Sequence, residues 1–257
     1  MKQTKKIFII FWLIFLLFFL CLSIYFYRQK NIAQQKLNSI KKEINKKNLL
    51  EQKKLEDKKK KELDFIKNLD LYSDSSLTKF VSAENSFNKK NYIPKNLVSI
   101  KSKYIIDAKW WQKLRKEAFL ALEKMAKKYY NDTKKKIVVV SAYRSYLYQK
   151  GIKDRWCPDN LCAKAWYSEH QSWLAVDLFS ASSNYTWKHN KKFLEIYSWL
   201  EKNAANFWFT NTYQKWLKVD TYEIEPWHWR YVWVDLAKYL QKNNLTFKEF
   251  FDKQKKN

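Results

Sequence analysis

The chain has 257 residues, room for one folded domain and accessory segments. Its 51 Lys and Arg against 25 Asp and Glu leave a formal net charge of +26, which draws a protein toward anionic polymers or anionic lipid. No nucleic-acid-reading motif accompanies the charge. Nucleic acid is therefore not the expected partner, and lipid or cell-wall polymer fits better.

Residues 1–6 are short and basic, and residues 7–27 are uncharged and dense in Phe, Leu and Ile. That run is long enough to cross a bilayer as a helix. A cleaved secretory signal has a shorter apolar core and a small-residue cleavage site. Neither is present, so 1–27 reads as an uncleaved anchor. Cys21 follows the bulky Leu20, which argues against a lipid-attachment site. Residues 28–66 form a charged stretch without Pro or Gly, with 13 basic and 6 acidic residues between 28 and 64. Leu37, Ile40 and Ile44 share one side of a helix, then the pattern fades, as in a solvated helical stalk. Residues 67–91 are polar and read as a linker, 92–245 as the folded domain, and 246–257 as a basic tail.

Within the domain, Leu114, Ala118, Ala121, Leu122 and Met125 predict a helix over 114–129 with one buried face. The β-branched run 137–140 predicts a buried strand. Strands follow at 174–179 and 229–234, with helices over 193–204 and 236–240. Strands and helices mix without regular βαβ alternation, which points to an α+β fold.

The chain has three His. His170 lies in Ser168-Glu169-His170-Gln171, Asp177 follows seven residues later, and His228 lies in Glu225-Pro226-Trp227-His228. Two His and one carboxylate form a recurrent catalytic zinc set with a fourth position left for water, although spacing alone does not establish it.

Ser-Ala-Tyr-Arg-Ser-Tyr at 141–146, Tyr-Ser-Glu-His-Gln-Ser-Trp-Leu-Ala-Val-Asp at 167–177 and Glu-Pro-Trp-His-Trp-Arg-Tyr-Val at 225–232 together resemble the VanY-type D,D-carboxypeptidases of the zinc D-Ala-D-Ala peptidase family. The resemblance runs from about residue 92 to 240. It implies the family's small antiparallel sheet with flanking helices, here preceded by a transmembrane helix and stalk. It implies Zn2+ bound by His170, Asp177 and His228, with Glu225 as general base toward the attacking water and proton donor to the leaving amine. Arg144 would meet a substrate oxygen, which suits its guanidinium fork. Gln149 and Ser168 match positions near the substrate. The implied substrate is a peptidoglycan stem peptide losing its terminal D-Ala. An L,D-carboxypeptidase, a wall endopeptidase or an inactive wall-binding protein of the same fold remain alternatives.

Lys2, Lys5 and Lys6 favour an inside N-terminus, whereas Arg28, Lys30, Lys36, Lys41 and Lys42 beyond the apolar run favour the reverse. Long domains cross largely regardless of flanking charge, and the implied substrate places the domain outside: a single-pass cell-membrane protein with an extracytoplasmic catalytic domain. There, Cys157 and Cys162 are expected to form a disulfide. Metal binding lacks a second ligand pair, and free thiols are the remaining option.

One Gly and 13 Trp stand where average usage of roughly 7% predicts ~18 Gly. Trp166, Trp173, Trp208, Trp216 and Trp233 occupy places where the resemblance or a turn calls for Gly, whereas Trp227 and Trp229 agree with the family. Some bacterial lineages read UGA as Gly and others as Trp. The five are therefore expected to be UGA-encoded glycines. The alternative is a diverged, inactive homologue.

Overall fold

A computed structural model describes residues 2–179, 184–215 and 217–256. The chain forms two compact units, Met1–Asp64 and Phe65–Asn257. The first belongs to the long helix α1 (Lys2–Lys67), long and apolar enough near its N-terminus to cross a membrane, with mean hydropathy 1.6 in its apolar window.

The second unit is the α+β domain. In chain order it contains β1 (Leu97–Ser99), β2 (Ile105–Asp107), β3 (Lys113–Arg115), α2 (Lys116–Thr133), β4 (Ile137–Ser141), α3 (Tyr146–Asp154), β5 (Ala175–Leu178), α4 (Asn184–His189), α5 (Lys191–Asn203), β6 (Phe209–Asn211), α6 (Leu217–Asp220), β7 (His228–Tyr231), α7 (Val234–Lys242) and α8 (Phe247–Lys255). The main sheet has the order β2-β4-β5-β7-β6, and β1 pairs with β3 apart from it. Every pair in the main sheet is antiparallel except β2–β4. Those two are joined through α2, and a helical crossover returns the chain in the same direction.

Helix α2 follows the predicted spacing, burying Ala118, Ala121, Leu122, Met125, Ala126 and Tyr129. These pack on Ile137 and Val139 of β4 and Val176 and Leu178 of β5. Every residue of β5 and β7 is buried. Central strands covered on both faces lose the in-out alternation of an exposed sheet, so polar side chains such as Asp177 and His228 are carried inside.

Two segments differ from the sequence reading. Residues 67–91 are no linker: Leu71, Phe80, Val81 and Phe87 are buried. The segment 246–257, read as a basic tail, holds α8, which buries Phe247, Phe250 and Phe251, and Phe80 stacks on Phe251 with ring centroids 4.1 Å apart. Thr246 and Glu249 close a capping box at its start, satisfying two otherwise unpaired N–H groups. In both segments polar and basic residues dominate the average composition, while a few large apolar residues at packing positions decide the structure. The folded unit thus begins near residue 65, not 92.

Ten described non-glycine residues have positive φ, and six are tryptophans: Trp110, Trp156, Trp166, Trp173, Trp208 and Trp233. Left-handed backbone costs an L-residue with a Cβ roughly 1–2 kcal/mol. Trp173 (φ 63°, ψ 23°) and Trp208 (φ 68°, ψ 20°) end 3-10 turns where a glycine C-cap is usual. Trp233 (φ 72°, ψ 166°) sits in a region that is essentially glycine's alone. Trp216 lies outside the described residues. The single glycine, Gly151, is inside α3, has no positive φ, and has open space where a Cβ would stand.

Candidate active site

Strand register builds the centre. Asp177 on β5 is the partner of His228 on β7 and of Ser141 on β4. His170 enters from the 3-10 turn Glu169–Ser172 just before β5, which ends in the left-handed residue Trp173. One donor atom from each of His170, Asp177 and His228 lies within 4.8 Å of the others, and all three residues are buried. His170 Nε2 is 3.2 Å and His228 Nδ1 3.1 Å from the same oxygen, Asp177 Oδ1.

Hydrogen bonds to the far side of each ring select the inward nitrogen. His170 Nδ1 lies 2.5 Å from the Ala142 carbonyl oxygen, which can only accept, so Nδ1 carries the proton and Nε2 keeps its lone pair. His228 Nε2 lies 2.9 Å from Glu169 Oε2, which leaves Nδ1 facing Asp177. Glu169 is fully buried and also accepts from Thr212 Oγ1 at 2.9 Å. A carboxylate or carbonyl behind each ligating imidazole is the usual outer support of a metal site. Two imidazole lone pairs and one carboxylate oxygen converging from three segments therefore fit a tetrahedral divalent cation with one position free, the donor chemistry of zinc.

The electrostatics agree. Burial, reinforced by the Arg144 charge, pushes His170 down to about 4, so it is neutral at ordinary pH. Burial also opposes charge on His228, but hydrogen bonds to Asp177 and Glu169 outweigh it and raise the group to about 10. The proton between two carboxylates there occupies a place that suits a cation. Burial would raise Asp177, yet His170, Arg144 and the histidine hydrogen bonds hold it well below the usual carboxylate range.

Glu225 lies three residues before His228, with Oε2 3.8 Å from His228 Nδ1. Burial raises it to about 7, helped by the Asp177 charge and opposed by His228 and Arg144. Asn211 on β6 fixes this corner, donating from Nδ2 to the carbonyls of Glu225 (2.7 Å) and His228 (2.9 Å). Arg144 pairs through Nη2 with Asp177 Oδ2 and donates from Nε to Ser141 Oγ at 3.1 Å.

Arg144, Gln149, Ser168, His170, Glu225 and His228 line one small pocket of about 40 Å³, together with Tyr213 and Tyr222. Asp177 stands behind them. The structure thus brings together every residue singled out from sequence for the site, and Cys157 and Cys162 form a disulfide whose Cys162 also lines the pocket. Sequence reasoning missed Glu169, Asn211, Thr212, Tyr213 and Tyr222. Tyr213 lies 4.8 Å from the His228 ring, centroid to centroid. Only Glu169 left a signal, as the acidic neighbour of His170.

Residues 111–234 match the family described as VanY: D-alanyl-D-alanine carboxypeptidase. YodJ of Bacillus subtilis (strain 168), named as a carboxypeptidase, is 34% identical over 178 residues, 65% of this chain and 64% of YodJ. The chain therefore spans somewhat less than two thirds of that relative. Among solved structures, the LD-carboxypeptidase LdcB is 29% identical with a TM-score of 0.59, covering 70% of this chain and 87% of LdcB. A VanY D,D-pentapeptidase solved with Zn(II) shares the fold at 20% identity, with a TM-score of 0.54 over 68% of this chain and 99% of that one.

Proposed function

We propose, from the match of residues 111–234 to the VanY family of D-alanyl-D-alanine carboxypeptidases, that this chain is a membrane-anchored zinc carboxypeptidase that removes the terminal D-Ala of peptidoglycan stem peptides. The observation that carries the reading is the convergence of His170, Asp177 and His228 within 4.8 Å beside a buried Glu225. When bound, zinc would polarise the scissile carbonyl and make water a stronger nucleophile.

The chain's own residues do the rest. Glu225, poised near neutrality by burial, takes the proton of the attacking water and returns it to the leaving amine. Arg144 lines the pocket and binds a substrate oxygen, the terminal carboxylate or the developing oxyanion. Gln149, whose Oε1 is buried without a partner, accepts a hydrogen bond from the peptide, and Ser168 borders the same space. The apolar helix near the N-terminus anchors the chain, with the domain outside the cell, where the substrate is. The likeness to LdcB favours one second reading, an L,D-carboxypeptidase acting on the tetrapeptide stem.

The test is D-alanine release from a pentapeptide and a tetrapeptide stem by the detergent-solubilised full chain. Release that stops with a zinc chelator and returns with zinc supports the proposal, and the better substrate decides between the two readings. A folded, zinc-loaded chain that releases D-alanine from neither peptide refutes both.

A further inference from the structure

Ten tryptophans of the folded domain can be compared by backbone, while Trp111, without positive φ, is 61% exposed. Trp187, Trp199, Trp227 and Trp229 have ordinary φ and pack on or within the core, and Trp199 and Trp229 donate their indole N–H to Asp132 and the Pro226 carbonyl. The six at positive φ are mixed in their surroundings: Trp208 packs against the core and Trp173 is buried. Trp110 and Trp156 are 91% and 94% exposed. The indole N–H groups of Trp166 and Trp173 are buried without a partner, a defect that the core residue Trp187 shares but that a buried indole normally avoids. Trp173 lies against Tyr143, ring centroids 3.4 Å apart, in the wall of a groove of about 380 Å³ that also takes in Arg144 and Tyr148. The six thus stand where backbone geometry asks for no Cβ at all, while the only glycine stands where none is needed.

We propose that residues 110, 156, 166, 173, 208 and 233 are glycine in the protein made by its own cell, from UGA codons read there as Gly, and that the groove beside Arg144 is then wider by the volume of the Trp173 indole. Trp110 and Trp156 join the set on backbone geometry alone. The decisive measurement does not depend on the enzymatic activity: the codons of the gene, with peptide mass spectrometry of the protein isolated from its own cells. UGA at all six positions, UGG at 227 and 229, and glycine in the native peptides support the proposal. UGG at 173 or 233, or tryptophan in the native peptides there, overturns it.

A different observation carries a second inference, which rests on the proposed carboxypeptidase reading. The loop 157–163 supplies Leu161, Cys162 and Ala163 to the wall of the catalytic pocket. It is tied on both sides. Toward α3, Lys153 Nζ donates to the Cys157 carbonyl at 2.7 Å and pairs with Asp159 at 2.6 Å, and Gln149 Nε2 donates to the Ala163 carbonyl at 2.7 Å. Toward Glu225, Asn160 exchanges hydrogen bonds with Glu223 at 2.8 and 3.0 Å. The Cys157–Cys162 disulfide closes the loop between these ties. The geometry points to the disulfide as a positioning element for substrate selection: it holds Leu161 and Ala163 against the substrate without touching the metal ligands.

Kinetics of D-alanine release by the full chain test it, comparing the wild type, the reduced wild type, Cys157→Ser/Cys162→Ser and Leu161→Ala. KM should rise roughly 10-fold, the scale of a lost apolar pocket contact, with kcat and zinc content retained. The preference between pentapeptide and tetrapeptide should narrow. Unchanged KM and unchanged preference in the reduced wild type and Leu161→Ala overturn the inference, even if the double variant fails to fold. A wild type that releases no D-alanine sinks the carboxypeptidase reading instead.

Discussion

Position 156 offers a clean thermodynamic test of whether the backbone asks for glycine. Trp156 is held at φ 65° and is 94% exposed, so removing its indole sacrifices almost no buried apolar surface. What remains is conformational. A Cβ at this φ costs about 1–2 kcal/mol, and glycine relieves it at an unfolded-state entropy cost of roughly 0.5–1 kcal/mol. Trp156→Gly should therefore be neutral to about 1.5 kcal/mol more stable than the parent, with Tm rising by ~2–4 °C per kcal/mol for a domain of this size. Trp156→Ala is the control, because it removes the same indole and keeps the Cβ: it should be less stable than the Gly variant by up to about 1 kcal/mol. Gly151 supplies the mirror image. It is helical, and a Cβ there would meet nothing within 4 Å, so Gly151→Ala should stabilise by about 0.5–1 kcal/mol. Thermal and urea unfolding of the full chain in detergent measure all three. An Ala variant at 156 as stable as the Gly variant would refute the argument that this turn is built for glycine.

Three further outcomes follow from the site. Glu169→Ala removes the acceptor that fixes the His228 ring and should weaken zinc binding 10- to 100-fold, read by competition with a chromogenic chelator; unchanged affinity would dismiss Glu169 as a support. Glu225→Gln should lower kcat by roughly 10²–10⁴ with zinc stoichiometry intact, and a loss of zinc instead would mean that Glu225 serves the ligand set. In the proposed mechanism Glu225 acts ionised, so kcat/KM should fall as pH drops through its pKa. Burial places that group at about 7 in the metal-free chain, a bound cation favours the carboxylate and lowers it, and the acid limb of a zinc-loaded pH profile should lie below pH 7. A limb above pH 7 would contradict this assignment.

How far the sequence could be read depended on whether the deciding contacts were local. Helix α2 and strand β4 carry their own periodicity, and both emerge within a few residues of the predicted bounds. The short strands β2 and β6 hold three residues each, too few to show a period, and exist because longer neighbours pair with them. Likewise Leu71 and Phe80 sit among polar residues, and only their packing with apolar residues of α7 and α8 reveals them as core. At the site, His170, Asp177, Glu225 and His228 stood out as chemistry-bearing types in a recognisable order. That Asp177 and His228 are direct neighbours follows from the register of β5 on β7, which no single segment encodes.

The outer residues were hidden for a related reason. Asn211 lies 14 residues before Glu225 and Thr212 lies 43 after Glu169, yet each makes one of the bonds on which the centre depends. Glu169 adjoins His170 in sequence but supports His228 instead, because the 3-10 turn Glu169–Ser172 points successive side chains in different directions. Its charge is in turn balanced by Arg230, a fully buried cation that bonds Ser172 and the Lys79 carbonyl. The chain therefore buries a carboxylate and a nearby guanidinium, each costly to desolvate, around one imidazole. The return on that cost is an imidazole whose Nδ1 faces Asp177 in a fixed position. A histidine kept merely for packing needs no such support, so the buried network fits the proposed metal-binding role of His228.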